Sequence, residues 1–113
     1  MILAIVDDWL FRSKLEAAAA HLKAPLTIAA DAGLALQLRS EWSRVLIDLN
    51  LARGDSLAIV RDLRQAHPNM PVIGYCSHIQ HDLQRQALEV GCTTVLPRSV
   101  FVQQLPELLS LAR

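Results

Sequence analysis

The sequence lacks the features that would commit it to a membrane, an oxidising compartment or a nucleic-acid surface. Neither sign of charge predominates, since 11 Lys and Arg balance 11 Asp and Glu in 113 residues. That leaves no electrostatic footprint for nucleic acid or for an anionic bilayer. No apolar run approaches the ~20 residues of a membrane-spanning helix. The apolar start, Ile2 to Val6, meets acid at Asp7 and has no basic leader, so it reads as a strand and not as a signal peptide. Cysteine is scarce: Cys76 and Cys92 stand in different settings with no pairing pattern, and a reduced, cytoplasmic protein is expected. Aromatic residues are only 4% of the chain, so Trp9 and Trp42 form no stacking platform and are expected to be partly buried at helix or loop edges. His78 and His81 have no Cys or acid around them at zinc-ligand spacing. They read as a solvated loop and the first turn of a helix.

What is present is apolar sequence in short, bounded runs. A 52% apolar share fits an ordinary globular chain, and the length suits one domain, 1–113. Val45, Leu46, Ile47 and Leu49 surround an acid, Asp48, and Ile2 to Val6 runs into Asp7 and Asp8 in the same way. Unbroken apolar runs are what strands buried on both faces of a parallel sheet require. A carboxylate beside such a run costs several kcal/mol, roughly, unless a cation or donors compensate it.

Further strands are expected at Leu26 to Ala30, Pro71 to Cys76 and Thr93 to Leu96, with the central one running from Arg44 toward Leu51. Helical periodicity and its stops place helices at Trp9 to Lys23, Leu34 to Arg39, Ser56 to His67, Asp82 to Val90 and Val100 to Ala112. Pro25 stops the first, Ser56 can open the third, and Gly91 closes the fourth. In the last helix Val102, Leu105, Leu108, Leu109 and Ala112 share the inward face. Pro106 predicts a kink or a late start there, because an interior proline costs about 3 kcal/mol.

Alternating strands and helices with short connections give an α/β domain, a doubly wound five-stranded parallel sheet with helices on both faces. The common five-stranded order, 2-1-3-4-5, makes the first and third strands neighbours. Asp7, Asp8 and Asp48 then converge beyond their carboxyl ends, where ligands of such sheets bind. Converging acids call for a hard cation, and Mg²⁺ takes carboxylates, carbonyls and water. The loop after the first strand is rich in neither glycine nor hydroxyls, which argues against a flavin or nucleotide enzyme on this fold.

Over essentially its whole length the chain resembles the receiver domain of two-component response regulators, a flavodoxin-like fold. Ile5-Val6-Asp7-Asp8 looks like the acidic pair of that family, and Leu46-Ile47-Asp48-Leu49-Asn50-Leu51 like its phosphoacceptor strand. Asp55 matches the acid of the following loop, Pro71-Val72-Ile73 the fourth strand, and Ala87 and Gly91 the approach to the fifth. The resemblance implies that Asp48 accepts a phosphoryl group from a histidine kinase or phosphotransfer protein. It implies Mg²⁺ held by Asp7, Asp8, Asp48 and the Asn50 carbonyl. It also implies a signalling module and no enzyme, meeting a protein partner or a second copy through the fourth helix, fifth strand and fifth helix.

Three positions depart from the family pattern. The strand-four hydroxyl falls on Cys76, a weak donor. The lysine after strand five falls on Arg98, which keeps the charge but in a larger planar fork, and the proline next to it falls on Ser99. The aromatic switch falls on Val95. These departures carry the alternative reading, a pseudo-receiver that binds proteins without regard to phosphate.

Overall fold

The computed structural model describes residues 1–30 and 42–110. Strands β1 (Ile2–Ile5), β2 (Leu26–Ala29), β3 (Arg44–Asp48), β4 (Val72–Cys76) and β5 (Thr94–Pro97) form one sheet. All pairs are parallel, as the apolar runs predict, and the order is β2-β1-β3-β4-β5, the common one for five strands. Around it lie α1 (Trp9–Leu22), α2 (Ser56–Ala66), α3 (His81–Val90), α4 (Arg98–Gln103) and α5 (Leu105–Ser110). The helix expected at 34–39 and the inward place expected for Ala112 fall outside the described residues.

Strand alternation divides the core in two. Leu3, Ile5, Val45, Ile47 and Val72 face α2 and α3, meeting Ile59, Val60, Leu63 and Ala87. Ile2, Ala4, Leu46 and Ile73 face the other way, onto Phe11 and Leu15 of α1, Phe101 of α4 and the leucines of α5. Strand β1, and β3 from Val45 onward, are therefore apolar at every position up to their acids. Gly74 in β4 lets Leu49 cross the sheet edge closely, since a Cβ there would stand 3.1 Å from three Leu49 carbons.

Several boundaries and faces differ from expectation, each for a local reason. The central strand stops at Asp48, whose side chain takes the Asn50 N–H at 2.8 Å and so turns the chain out of the sheet. Helix α2 opens at Ser56 as expected, and Asp55 before it supplies the cap: its carboxylate accepts from Leu57 N at 3.1 Å and Ala58 N at 3.2 Å. Ser56 instead donates to the Leu49 carbonyl at 2.8 Å and is buried. Trp9 is 71% exposed, because Asp8 caps α1 immediately before it and the first inward position is Phe11.

The last expected helix is two helices. Gln104 ends α4 and Pro106 lies in the first turn of α5, where its missing N–H is no loss. The break resets the helical phase, so Phe101 is fully buried and Val102, expected inward, is exposed. Leu105, Leu108 and Leu109 are buried as expected. Arg44 fixes α5 by donating from Nη1 to the Leu108 carbonyl at 3.0 Å, a favourable cation at a helix C-terminus.

Candidate functional site

The parallel registers align the carboxyl ends of the strands. Ile5 lies beside Ile47, Asp48 beside Tyr75, and Cys76 beside Pro97. The residues that follow these ends form a cleft of about 350 Å³. Asp7, Asp8, Asp48, Asn50, Cys76 and Arg98 all line it, so every site position singled out in the sequence is brought to one place. Tyr75 and Ser77 line it as well.

Each acid is held differently. Asp7 accepts the Arg53 N–H at 2.9 Å, which ties it to the loop after β3. Asp8 uses Oδ1 to cap α1, accepting from Leu10 N at 3.0 Å and Phe11 N at 3.3 Å. Its other oxygen faces Arg98 Nη2 at 3.5 Å. Asp48 is buried, with Oδ1 engaged by Asn50 N. Burial pushes its carboxyl above the ordinary range, the Asn50 bond and Arg98 pull it back, and Asp7 and Asp8 push it up again. The cleft thus concentrates negative charge around an acid that resists ionising.

Arg98 pairs with Asp8 and not directly with Asp48. Its guanidinium lies 4.8 Å from the Phe11 ring centroid, a cation–π contact, and its side chain is half exposed. So long and solvated an ion pair is weak, and the guanidinium can exchange to another anion. Cys76 is buried, and burial raises its thiol further out of reach of ionisation. It belongs to the core on the α2 and α3 side of the sheet.

Two contributors were not among the residues chosen from sequence. Gln80 makes a reciprocal amide pair with Asn50, donating and accepting at 2.9 and 2.8 Å, and its Oε1 also accepts the Ser77 N–H at 2.9 Å. It clasps the loop after β4 to the loop after β3. Nothing in spacing points to Gln80, because the pair depends on the path of the turn 77–80. Tyr75 had a signal: it is the single tyrosine of the chain, set in an otherwise apolar strand. Replacing Gln80 by alanine should release the clasp with little change in global stability. Amide exchange at Ser77 is expected to quicken about tenfold, the worth of one lost hydrogen bond. Unaltered exchange there would show that the clasp holds nothing.

The donor set suits a hard cation: three carboxylates and amide carbonyls, with no sulfur or imidazole among the acids. Among the described residues no three His, Cys, Asp or Glu side chains close around an ion by themselves. Mg²⁺ needs no such cage, since one or two carboxylates with water suffice.

No protein-family model matches the sequence, and no curated protein matches it. Solved structures do. The receiver domain of NtrX from Brucella abortus superposes with a TM-score of 0.82 at 21% identity, covering 99% of this chain and 97% of that one. The receiver domain of sensor histidine kinase PA1611 from Pseudomonas aeruginosa PAO1, crystallised with magnesium coordinated in its active-site cleft, gives 0.82 at 21%, over 98% and 94%. Chemotaxis response regulator CheY4 of Vibrio cholerae gives 0.80 at 17%, over 99% and 97%. The chain has the receiver-domain fold. Within the receiver fold its cleft lies at the carboxyl edge of the sheet, beyond the neighbouring strands β1 and β3 where the chain reverses direction. No described helix of this receiver fold is long and apolar enough to cross a membrane.

Proposed function

We propose that the chain is a two-component receiver domain, a cytoplasmic signalling module in which Asp48 accepts a phosphoryl group from a histidine kinase or phosphotransfer protein. The observation that carries this reading is the meeting of Asp7, Asp8, Asp48 and Arg98 in one cleft at the carboxyl edge of the sheet. An Asp48 oxygen attacks phosphorus, and the bond from phosphorus to the donor imidazole nitrogen breaks. The electron pair stays on that nitrogen. Asp48 must be ionised to attack, and Arg98 favours that form while the two neighbouring acids oppose it. Asp7, Asp8, Asp48 and the Asn50 carbonyl would hold Mg²⁺, which when bound supplies positive charge against the phosphoryl oxygens. Arg98, released from Asp8, pairs with the same oxygens. The surface of α3, β5 and the paired helices α4 and α5, which together replace the expected fifth helix, is the face offered to a downstream protein or a second copy.

The second reading is a platform that binds proteins without phosphate. It is favoured by Cys76, whose thiol sits in the core where the resemblance expects a hydroxyl donor. One experiment separates the two. With acetyl phosphate and Mg²⁺, intact mass should show the gain of a single phosphate, and Mg²⁺ alone should raise the melting temperature by relieving repulsion among the acids. A chain that takes up no phosphate at saturating donor, and melts alike with and without Mg²⁺, is the platform.

A further inference from the structure

The cleft contains a buried polar atom without a partner. Tyr75 is 1% exposed, and among the described residues its hydroxyl has no partner in hydrogen-bond geometry. A buried tyrosine ordinarily finds a partner for its hydroxyl, so an orphan at the wall of a cleft indicates a group that binds there. The ring is fixed in place. Its centroid stands 4.3 Å from that of Phe101 and 4.9 Å from that of Phe11, both stacked.

Register puts Tyr75 directly beside Asp48 across the β3–β4 pair. Tyr75 shares its face of the sheet with Ile73 and Leu46, whereas Cys76, the next residue, packs on the other side. Asp48 acts on the phenol by its charge and, more weakly, as a close side-chain neighbour, but the contact falls short of hydrogen-bond geometry, so the hydroxyl is aimed at the Asp48 carboxyl without being satisfied by it. A phenol keeps its proton at neutral pH and so serves as a donor. Phosphorylation of Asp48 would add phosphoryl oxygens to the end of the neighbouring side chain.

We propose that the Tyr75 hydroxyl is the hydroxyl donor of this site, hydrogen-bonding an oxygen of the phosphoryl group on Asp48 in place of the donor missing at Cys76. This rests on Asp48 being the acceptor, so the test reads the two separately. Beryllofluoride with Mg²⁺ is the probe, and because Tyr75 is the only tyrosine, 3-fluorotyrosine labels it alone. Its ¹⁹F resonance should shift when beryllofluoride is added to the Mg²⁺-loaded protein. Tyr75→Phe, which keeps the stacked ring, should bind beryllofluoride about tenfold more weakly with no loss of melting temperature. A Tyr75→Phe variant that binds as the parent does, with an unmoved resonance in the labelled parent, overturns the proposal and leaves Asp48 as acceptor. A parent that neither binds beryllofluoride nor takes up phosphate overturns both.

Discussion

Arg64→Ala is expected to lower the melting temperature by roughly 12 °C, although Arg64 touches nothing in the cleft. Its guanidinium gathers backbone carbonyls from two turns at the opposite edge of the sheet. Nε and Nη2 donate to the Gly91 carbonyl at 3.0 and 2.7 Å. Nη1 reaches the carbonyls of His67 at 3.2 Å, Pro68 at 3.0 Å and Met70 at 2.8 Å. These bonds join the end of α2 to the start of β4 and to the turn between α3 and β5. Each hydrogen bond from a charged donor is worth about 1.5–3 kcal/mol, but partial exposure and shared donors keep the net nearer 3 kcal/mol. At about 4 °C per kcal/mol that gives the stated drop. Arg64→Lys should recover less than half of it, because a point charge cannot replace a planar fork on two turns. Gly91 belongs to the same unit: its φ is +136° and an added Cβ would lie 2.9 Å from Arg64 Cβ. Thermal melts decide the matter, and a loss under 2 °C for Arg64→Ala would remove Arg64 from the account of stability.

Asp48→Asn should act in the opposite direction on stability while abolishing phosphate uptake. The parent carboxyl is raised above its ordinary 3.8 in the folded state, chiefly by burial. Above the folded value the acid is ionised in both states, and its full cost weighs on the folded one. Between the folded value and 3.8 the folded protein holds the proton that the unfolded chain has released, so the cost shrinks as pH falls. Below 3.8 both states are protonated and the cost is gone. Asparagine never ionises and can still accept the Asn50 N–H. Without Mg²⁺ the variant should therefore melt higher near pH 7 by about 4 °C, a stabilisation of about 1 kcal/mol. The gap to the parent should close toward pH 4. Intact mass after acetyl phosphate should show no added phosphate. A variant that melts lower than the parent at neutral pH would mean that Asp48 is a structural acid.

How far the chain could be read from its residues follows from the range over which each feature is decided. The parallel sheet was legible because unbroken apolar runs ending in acid demand burial on both faces, and the meeting of Asp7, Asp8 and Asp48 followed once the common five-stranded order was adopted. The start of the helix at Ser56 was legible, whereas the cap at Asp55 turned on which of two adjacent side chains meets the free N–H groups. The inward place of Phe101 and the exposure of Val102 were hidden because one helical period was carried across the break before Pro106. Tyr75 stands apart from these. Its role needs the β3–β4 register, which pairs it with Asp48, and the absence of any other partner for its hydroxyl. Gln80 was least legible, since a side-chain amide pair between two loops leaves no periodic trace.

The break at Gln104 divides the C-terminal helical stretch into two bodies of unequal fixity. The segment Leu105–Ser110 is seated by three buried leucines and by Arg44 on its backbone. The segment Arg98–Gln103 is pinned by a single buried ring, Phe101, and begins at the guanidinium that faces the cleft. Phe101 therefore links Arg98 to the inner wall of the cleft: its ring stacks on Tyr75 at 4.3 Å, and the next residue, Val102, meets solvent. A force on Arg98 would bear first on that ring pair and on the surface beside it, a connection that does not pass through Val95.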